Sequence, residues 1–194
     1  ASDSARQNQI SFYLHIPFCR HLCHYCGCNS YPAAKPETVE AYVGALHREI
    51  DLVARHIDNS RQISQIHYGG GSPTSIPIPM LKELNDHLLS IAPTIASPEI
   101  AIECHPGYLS EHDWQQLTAC GFTRYSIGIQ DMKEEVLKAV NRRPSLLPLQ
   151  EILQILRASG ATVNFDFIYG LPLQSVDSFR KTIEQASALR PDRL

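Results

Sequence analysis

No apolar run in the sequence reaches the roughly 18 residues that a membrane-crossing helix needs, so no such helix is expected. The first nine residues, Ala1 to Gln9, are polar and lack a hydrophobic core, which argues against a secretory signal. Basic charge is not in excess: 17 Lys and Arg stand against 20 Asp and Glu, for a net charge of −3. Nucleic acid and membrane surfaces are therefore not expected partners. Neither an internal repeat nor a low-complexity segment is visible, which sets aside solenoid architectures. A second cysteine pair, the usual companion in a structural zinc site, is also missing downstream of the first group.

What is present is an ordinary globular composition. Of 194 residues, 43% are hydrophobic and 19% charged, enough for one sizeable core. We expect a flexible segment over residues 1–9 and one domain over 10–194. Of six cysteines, four crowd into ten residues, at Cys19, Cys23, Cys26 and Cys28, while Cys104 and Cys120 stand alone. Disulfide frameworks spread cysteines through small secreted domains. The crowding here points to a reducing cytosol and a metal, and the two lone cysteines read as packed thiols.

Ile10–Ile16 reads as a strand closed by Pro17, and the cysteine loop follows to about Tyr31. Apolar spacing at Val39, Tyr42, Val43, Leu46, Ile50 and Val53 predicts a helix over 36–57, with Pro36 in its first turn. Further strands are expected at 63–68, 99–104, 123–129 and 162–169. Helices are expected near 80–91, 110–119, 133–140, 148–158 and 176–189. Ser110 and Asp113 have capping-box spacing, and Gly121 and Gly160 mark helix ends. Strand followed by helix, five times over with one extra helix, implies parallel pairing through right-handed crossovers. A barrel and a doubly wound sheet both satisfy that order. The last residues, Arg190 to Leu194, fall where a sixth strand is due, so a longer parent protein is expected.

Thiolates are soft ligands, and closely spaced ones select zinc or iron-sulfur. In Cys19-x3-Cys23-x2-Cys26, three protein ligands on a four-iron cube leave one iron open to a substrate, as an open position distinguishes catalytic from structural zinc. Zinc completed by His15, His21 or His24 is the alternative. Cys28 reads as a bystander, or else as a fourth ligand that would close the cube.

Several blocks occur in order: Tyr13-Leu-His-Ile-Pro-Phe-Cys19, Tyr25-Cys26-Gly27-Cys28-Asn29, Tyr68-Gly-Gly-Gly-Ser-Pro-Thr74, Ile102-Glu103, Ser126 to Asp131, Asn141-Arg142, and Asp166 to Pro172. With these, the sequence resembles the oxygen-independent coproporphyrinogen III oxidase (HemN-type) branch of the radical S-adenosylmethionine (SAM) superfamily. The resemblance runs from Tyr13 to Leu194. It implies an α/β fold, a partial (β/α)6 barrel with a parallel sheet and outer helices, stopping before strand six and before a C-terminal substrate-capping domain. It further implies a [4Fe-4S] cluster on Cys19, Cys23 and Cys26, with SAM chelating the fourth iron. One electron then splits SAM into methionine and a 5'-deoxyadenosyl radical. That radical takes a hydrogen from a propionate of coproporphyrinogen III, and loss of carbon dioxide leaves a vinyl group, an anaerobic step of heme biosynthesis.

The cofactors implied are the cluster and two SAM molecules. The partners implied are coproporphyrinogen III and an electron donor, protein or small reductant, in the cytoplasm. Gly70, Gly71 and Ser72 match the methionyl-binding strand end. No Lys-Ser/Thr follows the glycines, so a phosphate loop is rejected. Glu103 suits an ammonium or ribose hydroxyl, Gln130 and Asp166 suit ribose hydroxyls, and Arg142 suits a carboxylate. Tyr13 and Tyr25 are expected beside the cluster and adenine. Hydrogen-atom abstraction requires no acid or base, and none is assigned. Glu103 is followed by Cys104-His105-Pro106, where the family more often has an acidic residue before Pro. A heme-handling relative of the same fold is the rival function. Such relatives usually lack the Cys28 equivalent, so Gly27-Cys28-Asn29 favours the oxidase.

Overall fold

A computed structural model describes residues 8–32, 34–58 and 60–194. The main sheet has five parallel strands: β1 (Gln9–Ile16), β4 (Gln62–Gly70), β5 (Thr94–Cys104), β6 (Arg124–Gln130) and β7 (Thr162–Phe167). They pair in the order β1-β4-β5-β6-β7, with no reversal. A doubly wound sheet reverses its order at a switch point, and this sheet does not. With right-handed crossovers, a one-way order puts every connecting helix on the same face, as in a barrel wall. Between β1 and β4, the two-residue strands β2 (Phe18–Cys19) and β3 (Tyr31–Pro32) pair with each other and close the base of the cysteine loop.

The helices are α1 (Pro36–Ala54), α2 (Ile78–Ser90), α3 (Glu111–Thr118), α4 (Glu134–Ala139), α5 (Leu149–Ala158) and α6 (Val176–Ala188). α1 ends at Ala54, three residues before the expected Ile57, because neither Gly nor Pro there fixes a stop. Ser110 caps α3 in a reciprocal box with Asp113, as its spacing predicts. Gly121 and Gly160 adopt φ of +84° and +80°, left-handed values that suit glycine after a helix. The flexible segment expected over 1–9 lies outside the described residues except for Asn8 and Gln9, and Gln9 already belongs to β1.

Side chains alternate along each strand, so paired residues of neighbouring strands share a face. Leu14, Tyr68, Ile102, Tyr125 and Val163 sit on one register line and are buried under the helices. There they join Leu81, Leu84, Trp114, Leu117, Ile152 and Leu156 in one core. Burying each Leu or Ile contributes about 1.5–3 kcal/mol. The opposite face carries Tyr13, His15, His67, Glu103, Ser126, Asn164 and Asp166. A sheet covered on both faces reads as continuous apolar runs. These strands alternate instead, and their second face is the polar, concave side on which the site is built. Past β7, Asn164 bridges Arg193 in parallel, and Phe165 N–H donates to the Arg193 carbonyl at 3.1 Å. The final residues therefore begin to pair on that edge. Among the described residues, no helix is long and apolar enough to cross a membrane.

Candidate functional site

Strand ends create the site. At the C-terminal end of the sheet, one cavity of about 190 Å³ is lined by the cysteine loop and by residues from four strand ends. Cys19, Cys23, Cys26 and Cys28 all face it. All six cysteines are free thiols, with Cys104 and Cys120 buried, as expected for packed residues. Gly70, Gly71, Ser72, Glu103, Gln130, Arg142, Asp166 and Tyr25 line the same cavity. Tyr13, by contrast, is not among its lining residues. It lies on the concave face, 58% exposed, with its ring stacked on His67 at 5.7 Å.

The loop is clamped from both sides. Gly71 N–H donates to the Ile16 carbonyl, Ser72 N–H to the Phe18 carbonyl, and the Ser75 hydroxyl to that same Phe18 carbonyl, each at 2.9 Å. His15 Nε2 donates to the Asn29 carbonyl at 2.9 Å, which leaves Nδ1 to accept from the Tyr13 hydroxyl at 3.2 Å. Across the site, His24 N–H donates to the Val140 carbonyl at 3.0 Å, and Asn141 Nδ2 donates to the Leu22 carbonyl at 2.8 Å. Tyr25 packs against a small second core of Val136, Val140 and Leu171. Its hydroxyl is buried without a hydrogen-bond partner among the described residues, and burial pushes its pKa up.

Glycine is required where the loop meets β4. A Cβ on Gly71 would stand 2.8 Å from the Phe18 carbonyl oxygen and 3.0 Å from Cys19 Sγ. A Cβ on Gly70, at φ +115°, would strike the His15 ring at 2.8 Å. The backbone is thus open to close approach beside the thiols. Gln130 has φ +70°, at a register shift where β6 slips against β7. Such a bulge re-aims a side chain, and a non-glycine residue held there marks a site that tolerates strain for position.

A layer of partners that the sequence reading missed orients the site carboxylates. His67 Nε2 lies 2.9 Å from Glu103 Oε1. Ser126 Oγ donates to Asp166 Oδ2 at 2.7 Å, and Asn164 Nδ2 donates to Asp166 Oδ1 at 2.7 Å. Asp131, 1% exposed, accepts from Lys133 N–H at 2.8 Å, Gln174 Nε2 at 2.6 Å and Thr182 Oγ1 at 3.0 Å, and so ties α6 to the end of β6. The signal for this layer was the recurrence of polar residues two apart in strands, as in Asn164 and Asp166.

A guanidinium reaches the cysteine loop, whereas burial works against the anionic form of two of its thiols. Arg142 Nη1 is 3.6 Å from Cys23 Sγ, and Nη2 donates to the Gly128 carbonyl. Burial pushes the Cys19 thiol up, and burial together with Cys26 pushes Cys28 up. Neutral thiols buried in this way deprotonate when a cation binds them. Burial, reinforced by Arg142, holds His105 down at about 3, so its ring is neutral and Nδ1 accepts from Gly107 N–H at 3.1 Å.

The sequence pattern of the radical SAM superfamily matches residues 13–186. The chain belongs to the radical SAM superfamily. It is 36% identical over 190 residues to the oxygen-independent coproporphyrinogen III oxidase of Synechocystis, covering 97% of this chain and 41% of that protein. It is 38% identical over 191 residues to the protein of the same name from Pseudomonas aeruginosa, covering 95% and 41%. The solved coproporphyrinogen III oxidase HemN of Escherichia coli, described as a radical SAM enzyme, superposes with a TM-score of 0.81 at 35% identity. That match covers 94% of this chain and 42% of the other. The chain thus spans about two fifths of the length of these relatives.

A radical SAM chain carries a [4Fe-4S] cluster and SAM, and the residues present fit both. Three thiols of one loop face one cavity, beside a glycine cradle that a Cβ would fill. Among the described residues, no three His, Cys, Asp or Glu side chains are placed to hold a single metal ion.

Proposed function

We propose that this chain is the cluster- and SAM-binding core of an oxygen-independent coproporphyrinogen III oxidase. One observation carries the reading: the three motif thiols share a cavity with the polar residues that end strands β4 to β7. The identity of 36–38% to proteins of that name supports it. Cys19, Cys23 and Cys26 would hold the cluster, leaving Cys28 beside it. When bound, the cluster and SAM supply one-electron reductive cleavage of SAM.

The chain's own residues bind and orient. Gly70, Gly71 and Ser72 offer backbone and hydroxyl groups to the methionyl part of SAM. Glu103, held by His67, accepts from its ammonium or from a ribose hydroxyl. Gln130 and Asp166 take ribose hydroxyls, and Arg142 takes a carboxylate. Tyr25 covers the cluster side, and Tyr13 braces the His67–Glu103 pair from beneath. We place two SAM molecules in the whole enzyme, as the family resemblance implies, and a reducing cytoplasm suits the exposed thiols.

The test is anaerobic reconstitution of the full-length protein with iron and sulfide, then SAM, dithionite and coproporphyrinogen III. Methionine, 5'-deoxyadenosine and carbon dioxide are expected. SAM cleavage without carbon dioxide, together with tight heme binding, would replace the oxidase with a heme-handling function. Stoichiometric zinc without sulfide would end the cluster reading.

A further inference from the structure

Two imidazoles from neighbouring helices meet head to head, outside the cavity of the cysteine loop. His47 lies on α1 and His87 on α2. Their Nδ1 atoms are 2.7 Å apart and their ring centroids 5.0 Å apart, with the planes 20° from parallel. Asp51, one turn beyond His47 on α1, stands behind His87, with Oδ1 3.0 Å from Nε2. An ionised carboxylate only accepts, so His87 Nε2 carries the proton and His87 Nδ1 is a bare lone pair. His47 Nδ1–H therefore donates to it across the 2.7 Å gap. Both rings are partly exposed, so an ion can reach them from solvent. The surroundings are acidic: α1 carries four acidic residues and one basic, and α2 carries two and one.

We infer that His47 and His87 form a binding site for a divalent transition ion that favours imidazole, with zinc as the test ion. The site goes beyond the cluster reading and does not depend on it. A ligating histidine ordinarily gives its other ring N–H to a carboxylate, which fixes tautomer and ring angle, and Asp51 already does this for His87. Core packing of both helices, through Val43 and Ile50 of α1 and Leu84 and Leu88 of α2, holds the two rings together before an ion arrives. Zinc–nitrogen bonds of about 2.0–2.1 Å at a tetrahedral angle set the two nitrogens about 3.4 Å apart, so the rings part by roughly 0.7 Å. That is a small swing for half-exposed side chains. As the ion enters, His47 moves its proton from Nδ1 to Nε2, so both Nδ1 lone pairs face the metal and no net proton is released. Among the described residues, no third His, Cys, Asp or Glu side chain is placed to share the ion, so water completes the shell. The bound ion clips α1 to α2.

The test is calorimetric titration of the full-length protein with zinc chloride. Wild type is compared with His47→Gln, His87→Gln and Asp51→Asn, and with His112→Gln, an exposed position on α3, as a control. Wild type and His112→Gln should each bind one zinc more than His47→Gln or His87→Gln. Asp51→Asn should keep that site and weaken it about 10–100-fold. Zinc taken by the loop thiols is common to all five proteins, so the comparison stands whether or not a cluster forms. Equal stoichiometry in all five would overturn the inference. A second measurement needs no variant: zinc should protect His47 and His87, but not His112, from diethyl pyrocarbonate, as read by peptide mass spectrometry. Protection of neither histidine, or of only one of the two, would overturn the site.

Discussion

Three glycines separate the effect of backbone strain from the effect of the cluster cradle. Gly27 has no neighbour within 4 Å of a built Cβ and no left-handed φ, so Gly27→Ala should cost nothing in stability. Gly160 is equally open but has φ +80°. Alanine there pays the left-handed penalty of about 1–2 kcal/mol. Gly71 is the reverse case: its φ is ordinary, but a Cβ would press on the Phe18 carbonyl carbon and oxygen at 3.1 and 2.8 Å and on Cys19 Sγ at 3.0 Å. Two of these three contacts are backbone and cannot rotate away. Overpacking of this kind costs about 1–3 kcal/mol, or moves the loop that carries Cys19. Thermal midpoints should fall by about 2–4 °C per kcal/mol for a chain of this size. Gly160→Ala and Gly71→Ala should therefore be comparably destabilised. Only Gly71→Ala should also lose iron and sulfide after anaerobic reconstitution. Wild-type iron content in Gly71→Ala, or equal iron loss in Gly160→Ala, would refute the cradle.

Cys23→Ala should abolish iron binding and 5'-deoxyadenosine formation, whereas Cys28→Ala should largely retain both; equal losses would make Cys28 a fourth ligand. Ser110→Ala removes the α3 cap and should lower stability by about 1 kcal/mol in urea titration. Asp131→Ala leaves Gln174 and Thr182 without their buried acceptor, so a loss of about 3 kcal/mol is expected, and Asp131→Asn should lose less. His105 is held neutral in the fold, at about 3 against an ordinary value of 6.5. Its stabilising effect is complete above pH 6.5 and is lost as pH falls from there toward 3, with a slope of up to about 1.4 kcal/mol per pH unit. His105→Asn keeps an acceptor for Gly107 N–H but does not titrate, so urea unfolding at stepped pH should show a flatter acid limb. A limb as steep as that of the wild type would show that another group governs acid unfolding.

Local chemistry made most of the elements legible. Pro17, Gly121 and Gly160 punctuate the chain, and the Ser110–Asp113 box forms as its spacing implies, whereas β4 runs on through Gly69 and Gly70 instead of stopping at Tyr68. The misses have physical causes. β5 starts at Thr94, five residues before the expected Glu99, although Pro98 lies within it. Proline is tolerated there because the ladder to β4 is irregular between Ile63 and Gln65, where an amide donor is not needed. β7 stops at Phe167 rather than Tyr169, because Gly170 turns the chain at φ +81°. Among the residues that line the cavity, motif spacing points to the thiols, Tyr25, Gly70, Gly71, Ser72, Glu103, Gln130, Arg142 and Asp166, but not to His21, His105, Tyr108 or Ser126, and it points to Tyr13, which does not line it. Asn164, two residues before Asp166 in the same strand, carries a local signal, whereas the cross-strand partners of Glu103 and Asp166 do not. His67 and Ser126 reach those carboxylates through a register between strands that no local pattern encodes.

That hidden layer explains why the concave face can be polar at all. A carboxylate left alone in a half-covered sheet face loses hydration without compensation. Here each one is shared: Glu103 with His67, Glu99 with Gln65 and Arg124, Asp166 with Ser126 and Asn164. Each pairing fixes a rotamer while leaving lone pairs free to accept from a ligand. The bulge at Gln130 and the tight glycines at β4 work in the same direction, since they spend conformational freedom on the placement of a few atoms. Stability comes from the opposite side of the same strands, where Tyr68, Ile102, Tyr125 and Phe165 are fully buried under the helices. One period-two alternation thus divides the labour, with the outer positions holding the sheet and the inner positions holding what binds to it.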